Sequence, residues 1–278
     1  MKHANISMNY EFFALTHPGK VRENNEDAVA FDEAQRIAVL ADGMGGYNAG
    51  EIASSMAITV IRTEMTRWLE QAGPQVSPMD IRHALQLCVE NANAAILGAS
   101  QSNPQYAGMG TTLVVGIFWH DRLILGHIGD SRCYRVRDGV LQQITRDHSW
   151  LQEQVDAGLI TPQQAAVSPN RNLVTRALGV ETEVLLEINE FQVAGNDLFM
   201  MCSDGLTDMV PDDPLSHMML ASTPLAEKAA ALVDAANASG GRDNISVLLT
   251  LAIAPEKKRS LMSRLLGATR SNTNTTND

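Results

Sequence analysis

Apolar positions recur along the chain with two different periods, and the switch between them marks out the elements. Near the start, runs rich in Phe, Val and Ile at residues 10–16, 27–32 and 36–41 are separated by polar turns and predict three short strands. Between Gly50 and Gln71 the period lengthens. Ile52, Met56, Val60 and Ile61 recur at three- and four-residue spacing, and Trp68 and Leu69 continue the face of a helix. Ser77-Pro78 then supplies a cap and a first-turn proline for a second helix, whose stripe is Ile81, Leu85, Cys88, Val89, Ala92 and Ile96. Both stripes are read as core-facing.

Strand patterns return at residues 112–119, 122–128, 131–136 and 140–145, with Asp138-Gly139 as a hairpin turn between the last two. No connection has the dozen or more residues of a crossover, so these strands are expected to run antiparallel. Residues 146–182 break every period with Gly158, Pro162, Pro169 and Gly179, and predict an insert of short helices and loop. Strands are expected again at residues 183–193, 197–202 and 244–253, with a helix from Thr223-Pro224 to about Ala238 before the last. Long strand runs interrupted by separate helix pairs imply an α+β fold, not a parallel doubly wound sheet.

The chain has 278 residues, 45% of them apolar and 19% charged, which suits one globular domain with a short appendage. That domain is placed at residues 1–254. Residues 256–278 carry a net charge of +3 and end in Ser, Asn and Thr, so 255–278 is expected to be a basic, then polar, disordered tail. Residues 1–255 carry −14 and the whole chain −11, which argues against a nucleic-acid partner. No apolar run approaches the roughly 18 residues of a membrane span, and residues 1–10 lack the apolar stretch of a secretory signal. A cytoplasmic monomer is expected.

Missing motifs narrow the chemistry. Cys88, Cys133 and Cys202 form no C-x-x-C pair and none is followed by Arg at the sixth position, so neither a thiolate zinc site nor a cysteine phosphatase is indicated. No lysine lies between Lys20 and Lys228, which excludes a Walker phosphate loop, a Schiff-base lysine and a protein-kinase core. G-x-S-x-G, H-E-x-x-H and EF-hand patterns are missing too.

What remains is a set of acids at strand ends. Asp42 follows Ile37-Ala38-Val39-Leu40-Ala41, and Asp130 follows the run from Leu123 to Gly129. Asp204 follows Leu198-Phe199-Met200-Met201-Cys202-Ser203, and Asp243 precedes Asn244-Ile245-Ser246-Val247-Leu248. In an antiparallel sheet the exit of one strand lies beside the entrance of its neighbour, so the four can gather on one edge. Clustered carboxylates need positive charge among them. With no lysine nearby, divalent cations are the natural source, and all-oxygen ligands favour Mg²⁺ or Mn²⁺ over zinc. An Asp-Gly pair alone is a turn signal, as at Asp138-Gly139. Asp42-Gly43 leads instead into Met44-Gly45-Gly46 and a helix, and Asp204-Gly205 into Leu206-Thr207-Asp208.

Six motifs then occur in one order: Arg22-x-x-x-Glu26-Asp27, Asp42-Gly43-Met44-Gly45-Gly46, Gly110-Thr111-Thr112, Gly129-Asp130-Ser131-Arg132, Ser203-Asp204-Gly205 and Gly241-Arg242-Asp243-Asn244. Over roughly residues 8–254 this series resembles the bacterial branch of the metal-dependent (PPM, or type 2C) serine/threonine protein phosphatases. The resemblance implies a four-layer α-β-β-α sandwich, with two antiparallel sheets face to face, helix pairs outside and metals at one end. It implies two core ions, Mn²⁺ or Mg²⁺. Asp42 would bridge them, Asp204 and Asp243 would complete the first, and the Gly43 carbonyl would join the second. Glu26 would reach the second ion through water, with Asp27 behind it. Asp130, with Asp204, would hold a third, weaker ion, and Arg22 would hold the substrate phosphate. Residues 146–182 correspond to a flap beside the site. The implied activity is hydrolysis of phosphoserine and phosphothreonine in proteins by a metal-activated water, opposing a cognate bacterial serine/threonine kinase.

One departure accompanies the resemblance. Eukaryotic relatives carry a His, the proposed general acid, where this chain has Met44. Methionine has no proton to donate, so protonation of the leaving oxygen is expected to fall to water at the metals. His127, in a core strand, and His148, in Arg146-Asp147-His148-Ser149, are expected to be structural. Two alternatives stand beside the phosphatase: a non-catalytic signalling adaptor of the same fold, and a phosphatase of small phosphomonoesters. The adaptor sits poorly with the presence of Asp42, Asp204 and Asp243.

Overall fold

The computed structural model describes residues 8–254 apart from 47, 48, 167 and 169–172, and the expected tail at 255–278 lies outside the described residues. In chain order, β1 (Asn9–His17), β2 (Asp27–Asp32) and β3 (Ile37–Met44) precede α1 (Ala49–Ala72) and α2 (Pro78–Ser102). Then come β4 (Gly110–Thr111), β5 (Leu113–Trp119), β6 (Arg122–Ile128), β7 (Arg132–Arg137) and β8 (Val140–Gln143). The chain continues through α3 (Trp150–Asp156), α4 (Pro162–Ala166), β9 (Glu187–Gln192) and β10 (Leu198–Cys202). It closes with α5 (Asp204–Thr207), α6 (Asp212–Leu220), α7 (Leu225–Ala238) and β11 (Ile245–Ile253).

Two antiparallel sheets result. One has the order β1-β11-β10-β7-β8, the other β2-β3-β5-β6-β9, with short β4 beside β3. Side chains of a strand alternate between faces, and here both faces are covered. In β3, Ile37, Val39 and Ala41 point into a core shared with α1 and α2. Ala38 and Leu40 point between the sheets, where they meet Phe12, Phe118, Phe199 and Leu248. In β11, Ile245, Val247 and Leu249 face α6 and α7. That double burial is why these strands read as unbroken apolar runs. The layers are therefore helix pair, sheet, sheet, helix pair, as the resemblance implied.

Local signals explain most boundaries. Ser77 caps α2 in a reciprocal box, its Oγ accepting from the Asp80 N–H while the Asp80 carboxylate accepts from the Ser77 N–H, both at 3.2 Å. Asp138 and Gly139 both have positive φ, 51° and 77°, the two-residue turn that matches the twist of a hairpin. Three expectations need correction. The strands expected at 183–193 and 140–145 are only Glu187–Gln192 and Val140–Gln143. The stretch before Thr223, to which no element was assigned, contains α6, whose first turn holds Asp212, Asp213 and Pro214. Those residues suggest a loop, yet a first-turn proline loses no helical bond and first-turn acids suit the helix dipole.

Candidate active site

The strand ends bring the predicted acids to one rim of the sandwich. Asp27 opens β2 directly opposite Asp42 on β3. Asp130 lies in the link between β6 and β7, where the chain passes from one sheet to the other. Asp204 leaves β10, and Asp243 stands just ahead of β11, its neighbour in the sheet. All of these acids act electrostatically on Asp42. The site thus spans the seam between the sheets.

Threonine and serine hydroxyls, with backbone groups, fix the strand ends that carry the carboxylates. The Asp42 N–H donates to Thr112 Oγ1 at 3.0 Å, and the Asp42 carbonyl accepts from Thr111 Oγ1 and the Thr112 N–H, each at 2.9 Å. Thr112 Oγ1 is also 2.8 Å from Ser131 Oγ, which ties this corner to the Asp130 turn. The Ser203 hydroxyl donates to Asp27 Oδ2 at 2.8 Å and accepts from the Ser246 N–H at 3.0 Å, so it ties Asp27 at the start of β2 to β11 of the other sheet. Gly205 lets the first turn of α5 approach the Asn244 carbonyl so closely that any Cβ there would collide with it.

Asn244 is the organiser that the sequence did not single out. Its Oδ1 accepts from the Glu26 N–H at 2.8 Å, and its Nδ2 donates to the carbonyls of Pro18 at 3.0 Å and Asn24 at 2.8 Å. Three contacts from one amide fix the segment from Pro18 to Glu26 against the start of β11. The signal was available, since Asn244 closes the last of the six motifs; its partners, more than two hundred residues earlier, were not.

The electrostatics are those of a cation site. Burial, followed by repulsion from neighbouring carboxylates, holds Asp42 and Asp204 well above the usual carboxylate value. Burial also pushes Asp27 and Asp130 up to about 6. Asp27 Oδ1 is buried and has no hydrogen-bond partner, a cost that an unaided cluster should not carry. The guanidinium at the rim is Arg22, whose Nη2 lies 2.7 Å from Asp243 Oδ2. Arg132, beside Asp130, is instead taken up by Asp147, with contacts of 2.6 and 3.0 Å. One arginine cannot neutralise five carboxylates, so the donor set fits hard divalent cations. Glu26 borders the cluster, its carboxyl raised chiefly by burial.

Met44 ends β3 with Gly110 opposite it, two residues beyond Asp42. His127 and His148 form a stacked pair with ring centroids 4.6 Å apart. With Glu187 they make a compact group of ligand-type atoms, but the hydrogen bonds argue against a metal there. His148 Nδ1 accepts from the Gly129 N–H at 3.2 Å, which leaves the proton on Nε2 facing Glu187. Arg176 Nη1 lies 3.5 Å from the same Nε2. Burial lowers His148 to about 4, so it is neutral. Its backbone N–H donates to Gly129 O and its carbonyl accepts from Thr175 N–H, at 2.9 and 2.8 Å. His148 therefore clasps the neck of the 146–182 insert to the turn that carries Asp130. That insert contains α3 and α4, the short helices expected of it.

Comparisons with known proteins agree with this geometry. A family model described as protein phosphatase 2C matches residues 19–248. The serine/threonine phosphatase stp of Listeria monocytogenes is 36% identical over 247 residues, 88% of this chain and 96% of the relative. The serine/threonine protein phosphatase PstP of Mycobacterium tuberculosis is 39% identical over 88% of this chain and 46% of its own length. The crystal structure of the Mycobacterium tuberculosis phosphatase PstP/Ppp superposes with a TM-score of 0.80 at 38% identity, covering 88% of this chain and 99% of that one. A PstP catalytic domain in complex with two manganese ions gives 0.78 at 36% identity, over 89% of this chain and all of that one. The family match over residues 19–248 and relatives above 30% identity over most of their length show that the chain belongs to the protein phosphatase 2C family.

Proposed function

We propose that in this metal-dependent serine/threonine protein phosphatase Asp42, Asp204 and Asp243, with the carbonyl of Gly43, hold two divalent ions, Mn²⁺ or Mg²⁺. When bound, the ions supply an activated water and positive charge opposite the charge that develops on the phosphoryl group. The chain's own residues do the rest. Ser203 and Asn244 hold Asp27 and the Glu26 backbone against the carboxylates that would bind the ions. Arg22 exchanges its contact with Asp243 for two oxygens of the substrate phosphate, as a planar guanidinium can. Asp130, with Asp204, holds a third, weaker ion. Met44 has no proton to give, so the leaving serine or threonine oxygen is protonated by water.

The observation that carries this reading is the rim of buried carboxylates with too little positive charge of its own. The test is turnover of p-nitrophenyl phosphate and a phosphothreonine peptide with and without Mn²⁺. Activity should vanish with EDTA and return with metal, and full activity in chelator-treated protein would overturn the mechanism. Comparison of the peptide with a sugar phosphate separates a protein phosphatase from a small-phosphomonoester enzyme. Opposition to a cognate serine/threonine kinase is part of the proposal, tested by phosphoproteomics of a deletion strain. So are the catalytic unit at residues 1–254 and a monomeric state, the latter read by sedimentation. No described helix is long and apolar enough to cross a membrane.

A further inference from the structure

Beside the carboxylate rim runs a groove of about 320 Å³ whose apolar lining is Met44, Ile128, Val174, Ala177, Val180 and Leu185. Its floor is continuous with the site. Met44 lies two residues past Asp42 on an extended strand, about 7 Å along the chain, and Ile128 immediately precedes Gly129-Asp130. Its far wall is the returning arm of the 146–182 insert and the residues after it. That wall is fixed in place, because the Thr111–Leu178 bridge pairs it with β4 and the His148–Thr175 bond closes the neck. Gly110 keeps the floor thin: a Cβ there would lie 2.9 Å from Val180 Cγ2 and 3.7 Å from Met44 Cγ.

Val180 is 56% exposed and Leu185 63%, large values for aliphatic side chains in the wall of a cleft. Arg176, Glu181 and Glu183 also line the groove and bring both signs of charge. One arginine against two glutamates leaves a net charge of only −1, so the apolar surface is its larger feature. A phosphorylated residue seated at the rim carries its flanking chain along extended backbone at about 3.3 Å per residue. With Met44 about 7 Å along β3 from Asp42, that spacing puts side chains within three positions of the phosphorylated residue at the range of the groove.

We propose that this groove receives an aliphatic side chain of the substrate protein, within three residues of the phosphorylated serine or threonine. The proposal rests on the phosphatase reading and adds to it a chemical class of substrate sequence. Burial of one aliphatic group in such a pocket discriminates on the order of tenfold or more.

The test uses the Mn²⁺-loaded full chain and phosphothreonine peptides in which a single Leu or Asp is moved through the three positions on either side. Each kcat/KM is read relative to p-nitrophenyl phosphate, which has no flanking chain. Leu should exceed Asp by about tenfold at one position or two neighbouring ones. In the doubly substituted Val180→Asp, Leu185→Asp protein that ratio should fall to about twofold or less. Equal turnover of all peptides overturns the proposal, and so does a preference that survives both substitutions. A preference that emerges only when residues 256–278 are removed makes the chain's own tail the occupant and overturns it too. Loss of p-nitrophenyl phosphate turnover in the unsubstituted protein is a separate result, and sinks the phosphatase reading itself.

Discussion

At the scale of single residues, charge decides which side chains are replaceable. Asp130 is nine-tenths buried, with its carboxyl pushed up to about 6, in a turn whose backbone Asn could equally adopt. Asp130→Asn should keep the turn and lose the charge. Steady-state kinetics beside calorimetric metal titration should show kcat lowered and one weak site gone, while two core ions still bind. Arg22 is a second case. It is paired with Asp243 across 221 residues of sequence, a contact that no local pattern announces. Arg22→Ala should raise KM for a phosphopeptide by at least about tenfold, through loss of its two charge-assisted contacts to the phosphate. Manganese affinity should hold or improve, because Asp243 is released. Weaker manganese binding with an unchanged KM would place Arg22 in metal retention instead. The four strand-end aspartates were legible because each closes or opens an apolar run. Asn244 and Ser203 were not, because their work lies in partners on other elements.

At the scale of elements, α6 shows what a pattern of residues conceals. Its last carbonyls are capped by Lys228 of α7, whose Nζ donates to Met218 and Met219 at 2.9 Å and to Ala221 at 2.6 Å. A lysine that is 3% exposed and serves three carbonyls is a cap supplied from another helix. Lys228→Ala should therefore cost about 3 kcal/mol, since one buried and two part-buried carbonyls lose a charged donor at once. For a domain of this size that is a fall in Tm of roughly 6–12 °C. Differential scanning fluorimetry reads it, and activity per folded molecule should stay unchanged. The periodic helices α1 and α2 and the buried strands were readable because their patterns follow from burial. α6 was not, since its nine residues, with Pro214 and two acids at the start, depend on packing and on Lys228 to stay helical. The shortening of β9 has the same root, as only 187–192 pair with β6.

At the scale of the whole molecule, the carboxylate rim makes stability depend on pH and metal together. Burial pushes Asp27 and Asp130 up to about 6 in the folded chain, and Asp42 and Asp204 are raised as well; unfolded, all titrate near about 3.9. A raised carboxyl binds its proton more tightly in the folded state. The stability it contributes is full below about pH 4 and is lost as pH rises through the folded values. Metal-free protein should thus lose a few kcal/mol of this contribution between about pH 4 and 8. Added Mn²⁺ should restore more stability at pH 8 than at pH 5, and metal-free Asp204→Asn should show a shallower decline in Tm with pH. Equal slopes would separate the rim from the titration. A different consequence follows from the place of β11, which lies between β1 and β10 and pairs residue 9 with residue 253. Synthesis proceeds from the N-terminus at roughly 5–20 residues per second. Throughout that time β1 has no neighbour in its sheet, and Asp243 arrives only with the strand that supplies one. Until β11 is made, a nascent chain thus lacks both the only sheet partner of β1 among the described residues and the aspartate proposed to complete the metal rim.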